Sequence, residues 1–296
     1  MKKELILAVF FISICSGAIQ AGSYGLTVND YGLSFGNSSY LNGIRFNLVD
    51  RHVRNVNGLN ITFWNPDENP NFVMNGLALA VVAPSMSRLT GVAIGGIAGV
   101  ADRVDGLALA GIGLAVDTVN GVAIGGIGLG GNSIHGFAAG LIGLGCDDLQ
   151  GIGIGGIGVG ASQIKGIVIG GIGTGADIIH GLAIGGVGVG ADEIKGIAIG
   201  GIGVGGDEIS GLTIGGIGIG GDYISGLQIA GLEIKGRELK GVKIASYCHA
   251  TRDMIGISIG LLNFAKNLRG LQIGIVNIAR NNPAPFKVLP IFNYHK

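Results

Sequence analysis

This chain has little charge, few aromatic residues, and few cysteines and prolines for its length. Of 296 residues, 13% are charged, 6% are aromatic, six are proline and three are cysteine. The 19 basic and 19 acidic residues cancel, so no basic excess points to a nucleic-acid partner. With 48% apolar residues, the chain is too hydrophobic to be intrinsically disordered. Few cysteines mean a fold that does not rest on a disulfide framework. The apolar run Leu5–Ile14 is too short to cross a bilayer comfortably, and polar patches such as Asp192-Glu193 interrupt the later apolar stretches.

What the chain has in excess is glycine, 61 residues. Its period is not three, which excludes a collagen helix. It recurs every fifteen residues, through Gly91, Gly106, Gly121, Gly136, Gly151, Gly166, Gly181, Gly196, Gly211, Gly226, Gly241 and Gly256. Gly43, Gly58 and Gly76 extend the series backwards, with three residues inserted between the last two, and Gly270 follows Gly256 after fourteen. A fixed period over most of a chain means a repeat architecture, in which one supersecondary unit stacks on the next.

The repeat Gly181–Lys195 reads GLAIGGVGVGADEIK. Counting the first glycine as position 1, apolar side chains fall at positions 2, 4, 7, 9 and 14. Positions 2 and 4 alternate as in a strand, as do 7 and 9, and the phase breaks at Gly185-Gly186. Corners at that pair, at Gly190-Ala191 and at Lys195-Gly196 give three sides of five residues. The expectation is an all-β fold, a triangular parallel β-solenoid (β-helix) of about sixteen coils with short terminal caps. Positions 2, 4, 7, 9 and 14 then point inward as aliphatic ladders, and positions 3 and 8 point outward. Position 14 is apolar in every coil from Val104 to Leu239. An outer-membrane β-barrel, with one strand of about ten residues per repeat, is the alternative; the phase break and the scarcity of central aromatics disfavour it.

Four segments are expected. Residues 1–21 read as a secretory signal, with Lys2 and Lys3, the apolar run, and small residues up to Ala18 and Ala21. Bulky Ile14 before Cys15 disfavours a lipid-anchored cysteine. Residues 22–42 form a hairpin or capping strand around Asn29-Asp30, residues 43–280 the repeats, and residues 281–296 a second cap with Pro283, Pro285 and Pro290. Cys146 and Cys248 lie seven repeats apart, ~34 Å on stacked strands, and are expected to be free thiols.

The stretches Asn42–Trp64, the GIAIGGIGVG-type middle, Gly270–Ala279 and Asn281–His295 resemble bacterial exported surface-repeat proteins, a family described from leptospiral members. The resemblance covers nearly the whole chain after the signal. It implies export and a repeat fold, and no reaction or functional residue.

Candidate chemistry is sparse. Position 12 is often aspartate (Asp102, Asp117, Asp147, Asp177, Asp192, Asp207, Asp222), with Asn132 and Ser162 in two coils. A calcium ladder is one reading, but Asp, Asn and Ser interchanging at a corner is turn chemistry. His135 and His180 share position 15 three coils apart, too far for one metal. Cys248-His249 near Asp253 could suggest a nucleophile, yet neighbours on a strand face opposite ways. The glycine loops, such as Gly200-Gly201-Ile202-Gly203, lack the lysine of a phosphate loop. No catalytic, cofactor or metal residue is expected, and the chain is read as a non-enzyme.

The most unusual signal is the row of small residues at position 3. Ala93, Ala108, Ala123, Ala138, Ala183, Ala198 and Thr213 are expected to form a flat outward contact face. Outside this zone the row becomes polar, with Arg45, Asn60, Gln228 and Lys243. The function expected is a cell-surface or envelope scaffold, periplasmic, in the outer membrane or on the surface. Its partner would be an unknown protein or envelope component, a second copy, or the membrane surface. Ice or crystal-surface binding is a further alternative, which regular outward threonines would favour.

Overall fold

The computed structural model describes residues 23–64 and 71–296. The signal and Cys15 readings concern residues outside these. The described chain is a parallel β-solenoid of about sixteen coils. It forms two compact units, up to Gly140 and from Leu141 onward.

The first unit opens with an antiparallel hairpin, Tyr24–Val28 against Tyr31–Phe35. Asn29 and Asp30, both with positive φ, form its turn. All later pairings in this unit are parallel: Tyr31–Phe35 stacks on Tyr40–Val49, and Asn55–Trp64, Val73–Ala80 and Ser85–Gly95 follow. Thirteen-residue strands Ala98–Ala110, Gly113–Gly125 and Gly128–Gly140 complete it.

In the second unit Gly143–Gly155, Gly158–Gly170, Gly173–Gly185 and Gly188–Gly200 stack in parallel, each residue opposite the one fifteen later. The stack continues to Leu262–Ala279, on which Val288–His295 pairs antiparallel. Parallel, in-register stacking is not the antiparallel meander of a membrane barrel.

Each coil turns at three places. One is the bend at positions 6 and 7. The second is position 12, where the ladder skips a pair: Ala176 faces Ala191 and Ile178 faces Glu193, but Asp177 and Asp192 do not pair. The third is the position-1 glycine, whose φ is 139° at Gly181. A Cβ there would lie 2.0 Å from the carbonyl oxygen of Gly166 in the coil before. The row is therefore glycine for two reasons, backbone conformation and a neighbouring carbonyl in the place of a side chain.

The core differs from the sequence expectation in one decisive respect. Positions 9 and 14 point inward as expected: Val189 and Ile194 are buried. Positions 2, 4 and 7 do not. Leu182, Ile184 and Val187 lie on the outside, and Ala183 at position 3 is fully buried. The glycine at position 1 turns the chain without resetting the strand alternation. From position 14, inward residues therefore follow at 1, 3 and 5, and one residue of phase exchanges the two faces. The interior has room for little more: at Gly153, on the same row, a Cβ would lie 2.6 Å from Leu149 Cδ2 and 2.9 Å from Leu144 Cδ2. Position-14 and position-9 side chains fill the narrow coil, leaving alanine-sized space at position 3. Each buried Ile or Leu of these rows contributes about 1.5–3 kcal/mol.

The coil Gly241–Ile255 has fifteen residues but not the regular spacing. Its first corner is one residue short, so Glu233 faces Tyr247 and Ile234 faces Cys248. The residue returns as a bulge at Thr251-Arg252, before Asp253 faces Glu238. Cys248 and, in the next coil, Asn263 thereby sit on the inward position-9 row.

Candidate functional site

The expected contact face is inside the protein. Ala93, Ala108, Ala123, Ala138, Ala183, Ala198 and Thr213 are all buried, the last five of them at most 1% exposed. They are core residues and reach no partner in the folded chain. Thr213 is among them, so the feature that favours ice binding, an outward threonine row, is not formed here.

The inward row also explains its polar ends. In the first unit the Arg45 guanidinium, buried and with its pKa lowered by desolvation, meets Asp50 at 3.0 Å and donates to Asn60 Oδ1 at 3.0 Å and Gly36 O at 3.1 Å. Asn60 Nδ2 donates back to Asp50 Oδ2 at 3.0 Å. This is a closed polar plug in the coil interior. In the second unit the row runs Thr213, Gln228, Lys243, Ser258 and Gln272, all buried. Lys243 Nζ donates to Gly226 O at 3.2 Å, to Lys240 O at 2.6 Å and to Gln228 Oε1. No carboxylate balances it in these bonds, and burial pushes its pKa down to about 7.

What faces outward is aliphatic. In the second unit position 2 carries Ile, Leu or Val in every coil from Ile152 to Leu271, and position 4 is Ile in every coil from Ile154 to Ile273. These side chains range from half-buried to more than a third exposed, with Ile167 at 38% and Ile197 at 39%. Beside them runs the position-7 corner row, with Ile202 at 51%. Each coil so presents roughly 200 Å² of aliphatic surface, and the unit on the order of 2,000 Å², several times the largest patch of an ordinary monomer.

The other two sides differ. Positions 13 and 15 form a charged side, where Glu193 is bridged by Lys195 at 2.6 Å and by His180 at 2.9 Å. His180 and Lys195 hold its carboxyl below the usual range. Positions 10 to 12 form a groove of about 980 Å³ with a Gly/Ala floor, bordered by Asp177, Asp192, Asp207 and Asp222 and ending at Lys235 and Arg237. Arg237 lies 3.7 Å from Asp222. Among the described residues no three His, Cys, Asp or Glu side chains are grouped closely enough to hold a metal ion.

Cys146 and Cys248 are free thiols, and burial raises both to about 11. That is opposite to the direction that activates a nucleophile. Cys248 points inward, whereas His249 points outward, stacked on Tyr247 at 5.3 Å and edge-on to Phe264 at 4.9 Å. Arg280 lies over Phe264. The aliphatic face, missed because large residues were assigned to the interior, could be found from the charges at positions 13 and 15: they fix 14 as inward, and unbroken alternation from there puts 2 and 4 outside. No family model, curated protein or solved structure matches this chain.

Proposed function

We propose that the protein is a non-catalytic, exported repeat scaffold of the bacterial envelope, acting through contact along its aliphatic face. The observation that carries this reading is the unbroken outward aliphatic rows at positions 2 and 4 of the second unit, flanked by the position-7 row. Such a surface is costly to leave in water and is the usual mark of an interaction site. The signal-like N-terminus and the resemblance to exported surface-repeat proteins support the location. The high thiol pKa values and the opposed directions of Cys248 and His249 support a role without catalysis.

Fractionation of cells that express the full chain tests this. The protein is expected outside the cytoplasm, in an assembly larger than one chain or with the envelope. Ile167→Lys/Ile197→Lys, on the exposed row, is expected to be exported equally but recovered as single chains. A wild-type protein that stays cytoplasmic, or a double variant that fractionates like it, refutes the reading.

A further inference from the structure

We infer that the occupant of the second unit's aliphatic face is the same face of a second copy, packed sheet against sheet about a two-fold axis. The inference rests on the contact-face reading above and names its partner.

Three observations select a copy. The first is area. Two faces on the order of 2,000 Å² each would bury roughly 3,000–4,000 Å² together, the range of obligate homodimers and far more than a transient partner covers. The second is regularity. From Gly143 to Gly205 the coils stack with no register shift, so the position-2 and position-4 rows run unbroken, with steps of ~4.8 Å. A copy turned about a two-fold axis presents rows of the same step, and its side chains settle into the furrows between them at the ~10 Å spacing of packed sheets. A partner of other construction has no reason to match that step over many coils. The third is the border. From Ile152 to Ile273 positions 2 and 4 carry no aromatic residue, and Tyr294 and Phe292 stand only at the end of these rows, opposite Leu271 and Ile273. Of the lysines in the bordering position-15 row, Lys195 and Lys240 are bridged to Glu193 and Glu238, and Lys165 stands without an ion pair among the described residues. A lipid-facing surface would instead carry aromatic anchors along its length and a basic border, where this border alternates lysine with Gln150, His180, Ser210 and Ser225. Growth along the coil axis is disfavoured, because the last parallel strand is covered by Val288–His295, which carries Pro290.

The test is sedimentation equilibrium of the purified full chain without its signal segment, with and without phosphatidylcholine vesicles. The expected mass is twice that of one chain at micromolar concentration, with no vesicle binding. Ile167→Lys/Ile197→Lys is expected to have the mass of one chain and a wild-type circular dichroism spectrum. Should the double variant fail to fold, Ile197→Ser, which introduces no charge, is expected to weaken the dimer at least tenfold. A wild-type monomer that binds vesicles overturns self-pairing in favour of lipid. A wild-type monomer that binds none, while the cellular assembly persists, overturns self-pairing and leaves the scaffold reading intact with a different partner. A dimer unaffected by either substitution overturns the assignment to this face.

Discussion

Replacing Ala183 by lysine discriminates between the two possible phases of the coil. Outward, an alanine-to-lysine change on a strand is nearly neutral. Inward, the ammonium must lie among Val168, Ala198 and the row of Ile179, where Ala183 is fully buried. The same row shows what a lysine needs there. Lys243 reaches two carbonyls, three and seventeen residues earlier, and the Gln228 amide fifteen earlier. At 183 the corresponding residues are His180, Gly166 and Val168, so the carbonyls remain but the amide is replaced by an aliphatic group. A poorly compensated buried charge costs about 3–5 kcal/mol, and four extra heavy atoms in alanine-sized space add about 1–3 kcal/mol. Together these approach the stability of an ordinary domain. Urea unfolding followed by circular dichroism should show Ala183→Lys unfolded or severely destabilised at pH 7 and partly recovered at pH 8.5. Burial lowers the introduced amine's pKa, so the unfolded chain holds the proton to higher pH than the native one, and stability rises with pH across that window. A variant as stable as wild type at pH 7 would refute the inward assignment of position 3.

Wild-type Lys243 follows the same linkage. With its pKa lowered to about 7, stability should rise between pH 7 and 8.5 by up to about 1.4 kcal/mol per unit, and Lys243→Met should abolish that slope. The window stops there because Cys146 and Cys248, raised to about 11, oppose it as the unfolded thiols ionise. Ile194→Ala should cost about 2–5 kcal/mol in urea unfolding. Ile199→Asp, which falls on the outer face, should keep the fold and reduce self-association by light-scattering mass. Gly181→Ala should destabilise by more than the ~1 kcal/mol of an ordinary glycine replacement, since its Cβ has a carbonyl oxygen in its place.

The repeat length, the parallel stacking, the inward rows at 9 and 14 and the free thiols are legible in the sequence because each follows from a periodic rule. The outer face is not, because the rule that apolar residues lie inside runs one way only. Ile and Leu at positions 2 and 4, with Ala and Gly between them, satisfy a strand pattern in either phase. The choice depends on whether Gly181 resets the alternation, a matter of one backbone angle. The polar residues Arg45, Asn60, Gln228 and Lys243 pull the reading the wrong way. They look like surface residues, and only their closed hydrogen-bond partners, brought together from neighbouring coils, make burial possible. The corner displaced in Gly241–Ile255 keeps the count at fifteen and so hides the inward turn of Cys248 and Asn263.

The constant offset of fifteen between paired strands has a kinetic meaning. A ladder partner lies one coil away along the chain, which gives a relative contact order of only ~0.05, below that of helical bundles, although the fold is all β. Closing a coil needs a loop of fifteen residues whatever the number of coils, so the entropic cost of closure does not grow with chain length. Once one coil is formed, its open edge is the template for the next, and folding can advance coil by coil in the order in which the chain is delivered. A chain built this way can gain or lose whole coils without changing how the rest of it folds.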